Sequence, residues 1–133
     1  MAHYRWVVFG ATLGLTLSTG LHGAAFAASN PLRGQSLYQN QCAACHSIDY
    51  NGVGPAHKNL FGRTAGSLAD YTYSPALASS GIVWNEVTLD RWLRNPEKLV
   101  PGQKMGFMVP SAQDRADLIV YLKKATALPL APP

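Results

Sequence analysis

Apolar positions along this chain fall into separate blocks, and the spacing within each block predicts an element. From Leu32 to about Ala44, Gly34, Leu37, Tyr38 and Gln41 recur near one face at helical intervals, which predicts a first helix. From about Glu86 to Arg94, Val87, Leu89, Trp92 and Leu93 suit one buried side of a second, and Pro96 sets its stop. From about Ser111 to Thr126, Leu118, Ile119, Tyr121 and Leu122 supply the apolar side of another. That helix opens on SAQD, a capping-box-like signature with Asp where Glu or Gln is usual, and Lys123 and Lys124 favour its C-terminal end. SPALASS predicts one short extra helix, with Ser74 as N-cap and Pro75 at the first helical position. The rest reads as loop. Loops of that length are unusual in a compact domain, and they become reasonable if they pack on a large ligand instead of on each other.

The two ends follow other rules. Arg5 gives a short positive start, Trp6 to Leu21 is largely apolar and uncharged, and Ala24 to Ala28 reads AAFAA, a small-x-small pattern. This predicts a secretory signal peptide over 1–27, cleaved after Ala27. An uncleaved membrane anchor is the alternative, but the apolar stretch falls short of the ~20 residues that a span prefers and contains Thr and Ser. The folded domain is expected over 28–127, and the proline-rich LPLAPP of 128–133 as a disordered tail without a role. Export delivers the chain to an oxidising compartment, where spare thiols pair or react.

Composition narrows the class. The 133 residues are 47% hydrophobic and 14% charged, a globular balance for one domain. The formal charge is +4, and removal of Arg5 with the signal leaves ten basic against seven acidic side chains, or +3. The longest basic run is the pair Lys123-Lys124, and no basic patch is interleaved with aromatics, which argues against nucleic-acid binding.

Both cysteines lie in Gln41 to Tyr50, QCAACHSIDY. A redox-active C-x-x-C is one reading, but that motif usually sits at a strand-to-helix turn and the flanks here are helical. Zinc is a second, but a structural site takes four ligands, and beyond Cys42, Cys45 and His46 only His57 remains outside the signal region. The third is covalent c-type haem attachment, for which C-x-x-C-H is the signature. Thiols at i and i+3 point the same way and reach the two vinyl groups on one porphyrin edge, while the next residue, His46, is carried over the haem face. This reading uses both cysteines and leaves no odd thiol.

A second axial ligand decides the chemistry. His/Met ligation raises the reduction potential and suits electron transfer, whereas an open distal face suits gas binding or peroxide chemistry. Once Met1 is removed with the signal, Met105 and Met108 remain, both in VPGQKMGFMVP, which its prolines and glycines keep as a loop.

Taken in order, CAACH, GVGP, NLFGR, YTYSPAL, SGIVW, TLDRWLRNP, PGQKM and RADLIVYLKKAT resemble a class I cytochrome c of the mitochondrial and bacterial c2 type, over about Gly34 to Thr126. The resemblance implies an all-α, single-domain fold with three main helices, short helices and loops around one covalently bound haem c, attached through Cys42 and Cys45. It implies His46 and Met105, not Met108, as iron ligands. It also implies that the Pro55 carbonyl accepts a hydrogen bond from the ligand imidazole, that Tyr73 and Trp84 bond a haem propionate, and that Arg63 lies near it. Gly34 matches the residue that lets the first and last helices approach, with Tyr38, Leu118 and Tyr121 as packed side chains.

Two departures stand out. Trp92 replaces a tyrosine whose hydroxyl reaches the methionine sulfur. Indole is not expected to make that bond in the same way, and Leu77 replaces an asparagine nearby. A smaller, drier polar network and an altered reduction potential are therefore expected. The lysine ring around the haem edge is thin: Lys98 and Lys104 remain, Glu97 is acidic, and GFMVPSAQD has no lysine. Phe107 and Met108 make the contact patch more apolar, which implies docking that depends weakly on ionic strength.

The function implied is a soluble periplasmic one-electron carrier, monomeric, not an enzyme, meeting membranes only through its partners. Candidate redox partners are a quinol-oxidising complex, a terminal oxidase, a reaction centre or a periplasmic dehydrogenase. The alternative is a haem peroxidase or gas sensor with a labile methionine. His57 is expected to be a surface loop histidine, with a switch or an alternative ligand as the other readings.

Overall fold

The computed structural model describes Met1 and residues 28–127; the rest of the expected signal segment and the tail of 128–133 lie outside the described residues. The fold is helical. It comprises α1 (Pro31–Gln41), α2 (Pro75–Ala78), α3 (Glu86–Arg94), α4 (Pro96–Leu99) and α5 (Ala112–Ala125). The described residues contain no strand, only an isolated bridge between Thr64 and Val83. None of their helices is long and apolar enough to cross a membrane.

Capping explains where the helices start and stop. Asn30 begins α1: its side-chain oxygen accepts from the N–H groups of Leu32 (3.0 Å) and Arg33 (3.2 Å), and Pro31 follows with φ already set. The helix ends at Gln41 and does not run on to Ala44 as expected. The chain tightens into turns, with Cys45 N–H and His46 N–H both donating to the Cys42 carbonyl, at 3.0 and 2.9 Å. α3 has the expected bounds. Its start is a full capping box: Asn85 accepts from Thr88 N–H at 2.9 Å, and the Thr88 hydroxyl accepts from Asn85 N–H at 2.8 Å. Only half of the expected box forms at α5. Ser111 Oγ accepts from Asp114 N–H at 3.2 Å, but the Asp114 carboxylate turns to Arg33. Pro96 does stop α3, and it also opens α4, capped by Asn95 through Lys98 N–H at 2.8 Å.

α1 crosses α5 in the most extensive helix contact among the described residues, and α3 also packs on α5. At the crossing Gly34 is buried, and a Cβ there would strike the Asp117 carbonyl and the Tyr121 Cβ. Tyr38 and Tyr121 pack beside it, ring centroids 5.4 Å apart. The crossing is fastened by Asp117, only 1% exposed, which accepts from Asn30 N–H (2.7 Å), Arg33 Nη1 (2.5 Å) and Gln113 Nε2 (3.0 Å). A second buried fastener is Arg115. Its Nε donates to Asp90 at 2.7 Å, and its Nη1 donates to the carbonyls of Val109 (2.9 Å) and Pro110 (2.7 Å), tying α5 to α3 and to the loop before it.

Burial pushes the Asp117 carboxyl up, but the bonds from Asn30, Arg33 and Gln113 outweigh it and hold the group below the usual carboxylate range. A depressed folded value means stability that is present above the unfolded value of about 3.9 and lost as pH falls through the folded one. Asp117→Asn is therefore expected to cost about 1–3 kcal/mol at neutral pH, with the deficit shrinking below pH ~4. Urea midpoints at neutral and acid pH measure both effects.

Candidate functional site

The helices and loops enclose one large cavity of about 610 Å³. That lies within the ~300–1,000 Å³ range of ligand sites. The turn after α1 delivers Cys42, Cys45 and His46 to its wall. So the shortened helix still does what the spacing required: a tight turn brings residues three apart to one side. Both cysteines are free thiols. Burial, with a smaller contribution from Cys45, pushes the Cys42 thiol up to about 11, which keeps it protonated and unlike the activated thiol of a redox dithiol. Among the described residues, no group of three or more His, Cys, Asp or Glu is placed to hold a metal ion, so the zinc reading gains no support.

His46 is set by its neighbours. Its Nδ1 lies 2.8 Å from the Pro55 carbonyl. A carbonyl only accepts, so Nδ1 carries the proton and Nε2 keeps a free lone pair. Burial lowers the pKa of the imidazole despite the opposing Pro55 bond, so the ring is neutral and available as a ligand. Gly54 is needed here, because a Cβ at that position would collide with the His46 ring.

Met105 also lines the cavity, between Lys104 and Gly106 in the loop after α4. The Met105 N–H donates to Gln103 Oε1. Contrary to expectation, the indole of Trp92 reaches the thioether: Nε1 donates to Sδ at 3.2 Å. The indole ring extends its N–H far enough from α3 to take over the hydroxyl's task, and Leu77 lines the cavity close by. One sulfur lone pair accepts this bond and the other is left for a metal. Met108 is 51% exposed and does not line the cavity.

Tyr73, Trp84, Arg63 and Phe107 also line it. Trp84 is 7% exposed and stands at 67° to Trp92, centroids 5.5 Å apart. Its indole N–H meets no acceptor among the described residues, yet no buried side-chain nitrogen or oxygen among them is orphaned. The N–H therefore opens on the cavity, where an acidic group of a bound molecule can receive it. Arg63 is spent largely on the chain itself, donating to the carbonyls of Lys58 (2.7 Å) and Ala56 (2.9 Å).

His57 is not the surface histidine expected. It lines the cavity and stacks on His46, ring centroids 4.4 Å apart and planes 19° from parallel. Sequence reasoning missed it because AHKN has no periodicity and polar neighbours; the stacking arises from a loop that folds back over the CAACH turn.

Two thiols, a neutral imidazole with a free Nε2, a thioether, apolar sides and an unpaired indole N–H around one cavity fit a covalently attached haem. Comparison with known proteins agrees. The cytochrome c family model matches residues 32–126. The chain is 43% identical over 103 residues to a cytochrome c2 of Rhodomicrobium vannielii, covering 74% of this chain and 82% of that one. It is 44% identical over 98 residues to a cytochrome c of Gibberella zeae, covering 71% and 92%. The solved structure of cytochrome cH from Methylobacterium extorquens superposes with a TM-score of 0.69 at 40% identity, covering 72% of this chain and 99% of that one.

A hydrogen bond to the thioether draws electron density from sulfur and makes it a poorer donor to a ferric ion. Trp92→Phe keeps the ring and removes the donor. In the haem-loaded protein it is expected to lower the midpoint potential by some tens of millivolts, the equivalent of about 1 kcal/mol for one electron. Redox titration of the two proteins reads this directly, and equal potentials would contradict the role given to the indole.

Proposed function

The chain belongs to the class I cytochrome c family, and on that footing we propose that it is an exported one-electron carrier whose iron is held between His46 and Met105. Members of this family are electron-transfer proteins, not enzymes, and carry covalently attached haem c. The observation that carries the ligand assignment is the cavity itself, lined by both His46 and the Trp92-bonded Met105. When bound, the haem supplies the one-electron couple.

The chain's own residues do the rest. Cys42 and Cys45 would anchor the group, each thiol adding across one of its vinyl groups to give a thioether. Pro55 holds His46 in one tautomer and strengthens its donation. Trp92 aims the sulfur of Met105. Trp84 and Tyr73 provide donors for a propionate, and Arg63 closes the loop behind them. Leu77, Leu89, Leu93, Leu118 and Leu122 exclude water from the interior faces. Phe107, 40% exposed at the rim, marks where a partner approaches. Two ligands held by separate hydrogen bonds leave little to rearrange when the charge on iron changes. That also favours the carrier over a peroxidase or gas sensor, which needs the distal position open.

The N-terminal apolar segment followed by AAFAA supports cleavage after Ala27 and delivery to the periplasm, with 28–127 as the working domain and 128–133 as a tail. The chain is proposed to act as a monomer. Its partners are redox proteins of that compartment: a quinol-oxidising complex, a terminal oxidase, a reaction centre or a periplasmic dehydrogenase.

Met105→Ala should abolish the long-wavelength charge-transfer band of ferric iron–thioether ligation and drop the midpoint potential further than Trp92→Phe does. An unchanged spectrum and potential would refute the assignment. The thin lysine ring and the exposed Phe107 and Met108 predict that the rate of electron transfer to a purified partner falls less than about threefold for a tenfold rise in ionic strength. Stopped-flow kinetics against salt tests this.

A further inference from the structure

His57 sits where the site described so far has no use for a second imidazole. Its surroundings over-determine its position. Its own N–H donates to the Ser47 carbonyl at 2.9 Å, and the next N–H, of Lys58, donates to Ile48 at 2.7 Å. The carbonyls on either side, of Ala56 and Lys58, are both held by Arg63, and Ala56 N–H donates to Asn51 Oδ1 at 2.8 Å. The side chain is fixed as firmly. Tyr38, 4% exposed, places its hydroxyl 3.2 Å from His57 Nδ1, and the two rings meet edge to face. The phenol has no other hydrogen-bond partner among the described residues, so this bond fixes the two side chains against each other.

We infer that His57 is a positioning residue for the axial imidazole: its flat face, stacked on His46, sets the plane in which that ring is held, and Tyr38 fixes the plane of His57. The need for a second constraint follows from the first. Rotation of a histidine ring about its Cβ–Cγ bond is broad, and a carbonyl accepts over a wide range of directions. The Pro55 bond alone therefore leaves the His46 ring some freedom to swing. A ring stacked at 4.4 Å, within 19° of the His46 plane, adds a constraint that the Pro55 bond does not supply. The ring plane matters because it decides how the imidazole π system overlaps the iron d orbitals, and so where the unpaired electron of the ferric state resides.

The inference rests on His46 being an iron ligand, and the experiment separates the two. The matured holoprotein is compared with His57→Leu, His57→Phe and Tyr38→Phe by low-temperature electron paramagnetic resonance and by the paramagnetically shifted haem-methyl resonances of the ferric state. Both methods report the orientation of the axial ring. His57→Leu is expected to rearrange the methyl pattern and shift the largest g-value. His57→Phe, which restores a flat face, returns both toward the wild type. Tyr38→Phe gives a smaller shift of the same kind, and as a one-atom change in a packed core it keeps the test open if the leucine variant fails to fold. A wild type without a low-spin His/Met signature overturns the ligand assignment together with this inference. A normal wild-type signature that the variants leave unchanged, or that leucine and phenylalanine alter equally, overturns this inference alone.

Discussion

A cavity of about 610 Å³ at the centre of a chain with 28–127 folded around it is the constraint on which the rest depends. A hollow of that size, lined largely by apolar side chains such as Leu77, Leu89, Trp92 and Leu93, leaves the packing of helices and loops incomplete until something fills it, so the cavity and its occupant are one structural unit. This also explains the stretch from His46 to Ser74, which contains no helix or strand. Its backbone is pinned by individual bonds, such as Gly54 N–H to Cys45 and the Arg63 pair, and its inward side chains line the cavity. Loops organised in this way need no layer of their own to pack against.

Legibility in the sequence tracked the range of the interactions. α3 was readable to the residue because its apolar spacing, its stop at Pro96 and its length are all local. The end of α1 was not, because nothing local distinguishes a helical CAAC from the tight turn that replaces it; the choice is made by what the cavity needs from the cysteines. The capping box at α5 read correctly for Ser111 and wrongly for Asp114, whose carboxylate found Arg33 across the α1–α5 crossing. α4 is hard to read locally because Pro96 signals a stop, although a proline that ends one helix is also well placed at the first position of the next.

The site divides in the same way. Cys42, Cys45 and His46 are carried by motif and spacing, Pro55 and Met105 by the family resemblance, and the structure lines one cavity with all five. Trp92 was located correctly and its chemistry misjudged. Donation to sulfur depends on where an indole of that length points from α3, which spacing does not encode. His57 was misplaced altogether, since its ring is brought onto His46 by a loop closure that involves Ser47, Ile48 and Asn51.

The two arms of the site are built with different security. The imidazole arm is local: cysteine, histidine, glycine and proline lie within fourteen positions, from Cys42 to Pro55. The sulfur arm is a long excursion between α4 and α5, returned to the body by the grip of Arg115 on Val109 and Pro110 and by the bond from Val109 N–H to the Leu93 carbonyl. Any load on the molecule, whether denaturant, heat or mechanical pull, therefore meets an asymmetric clasp. The sulfur side is held by contacts with α3 and α5, so whatever loosens either helix loosens it, while the imidazole side is closed by bonds within its own segment.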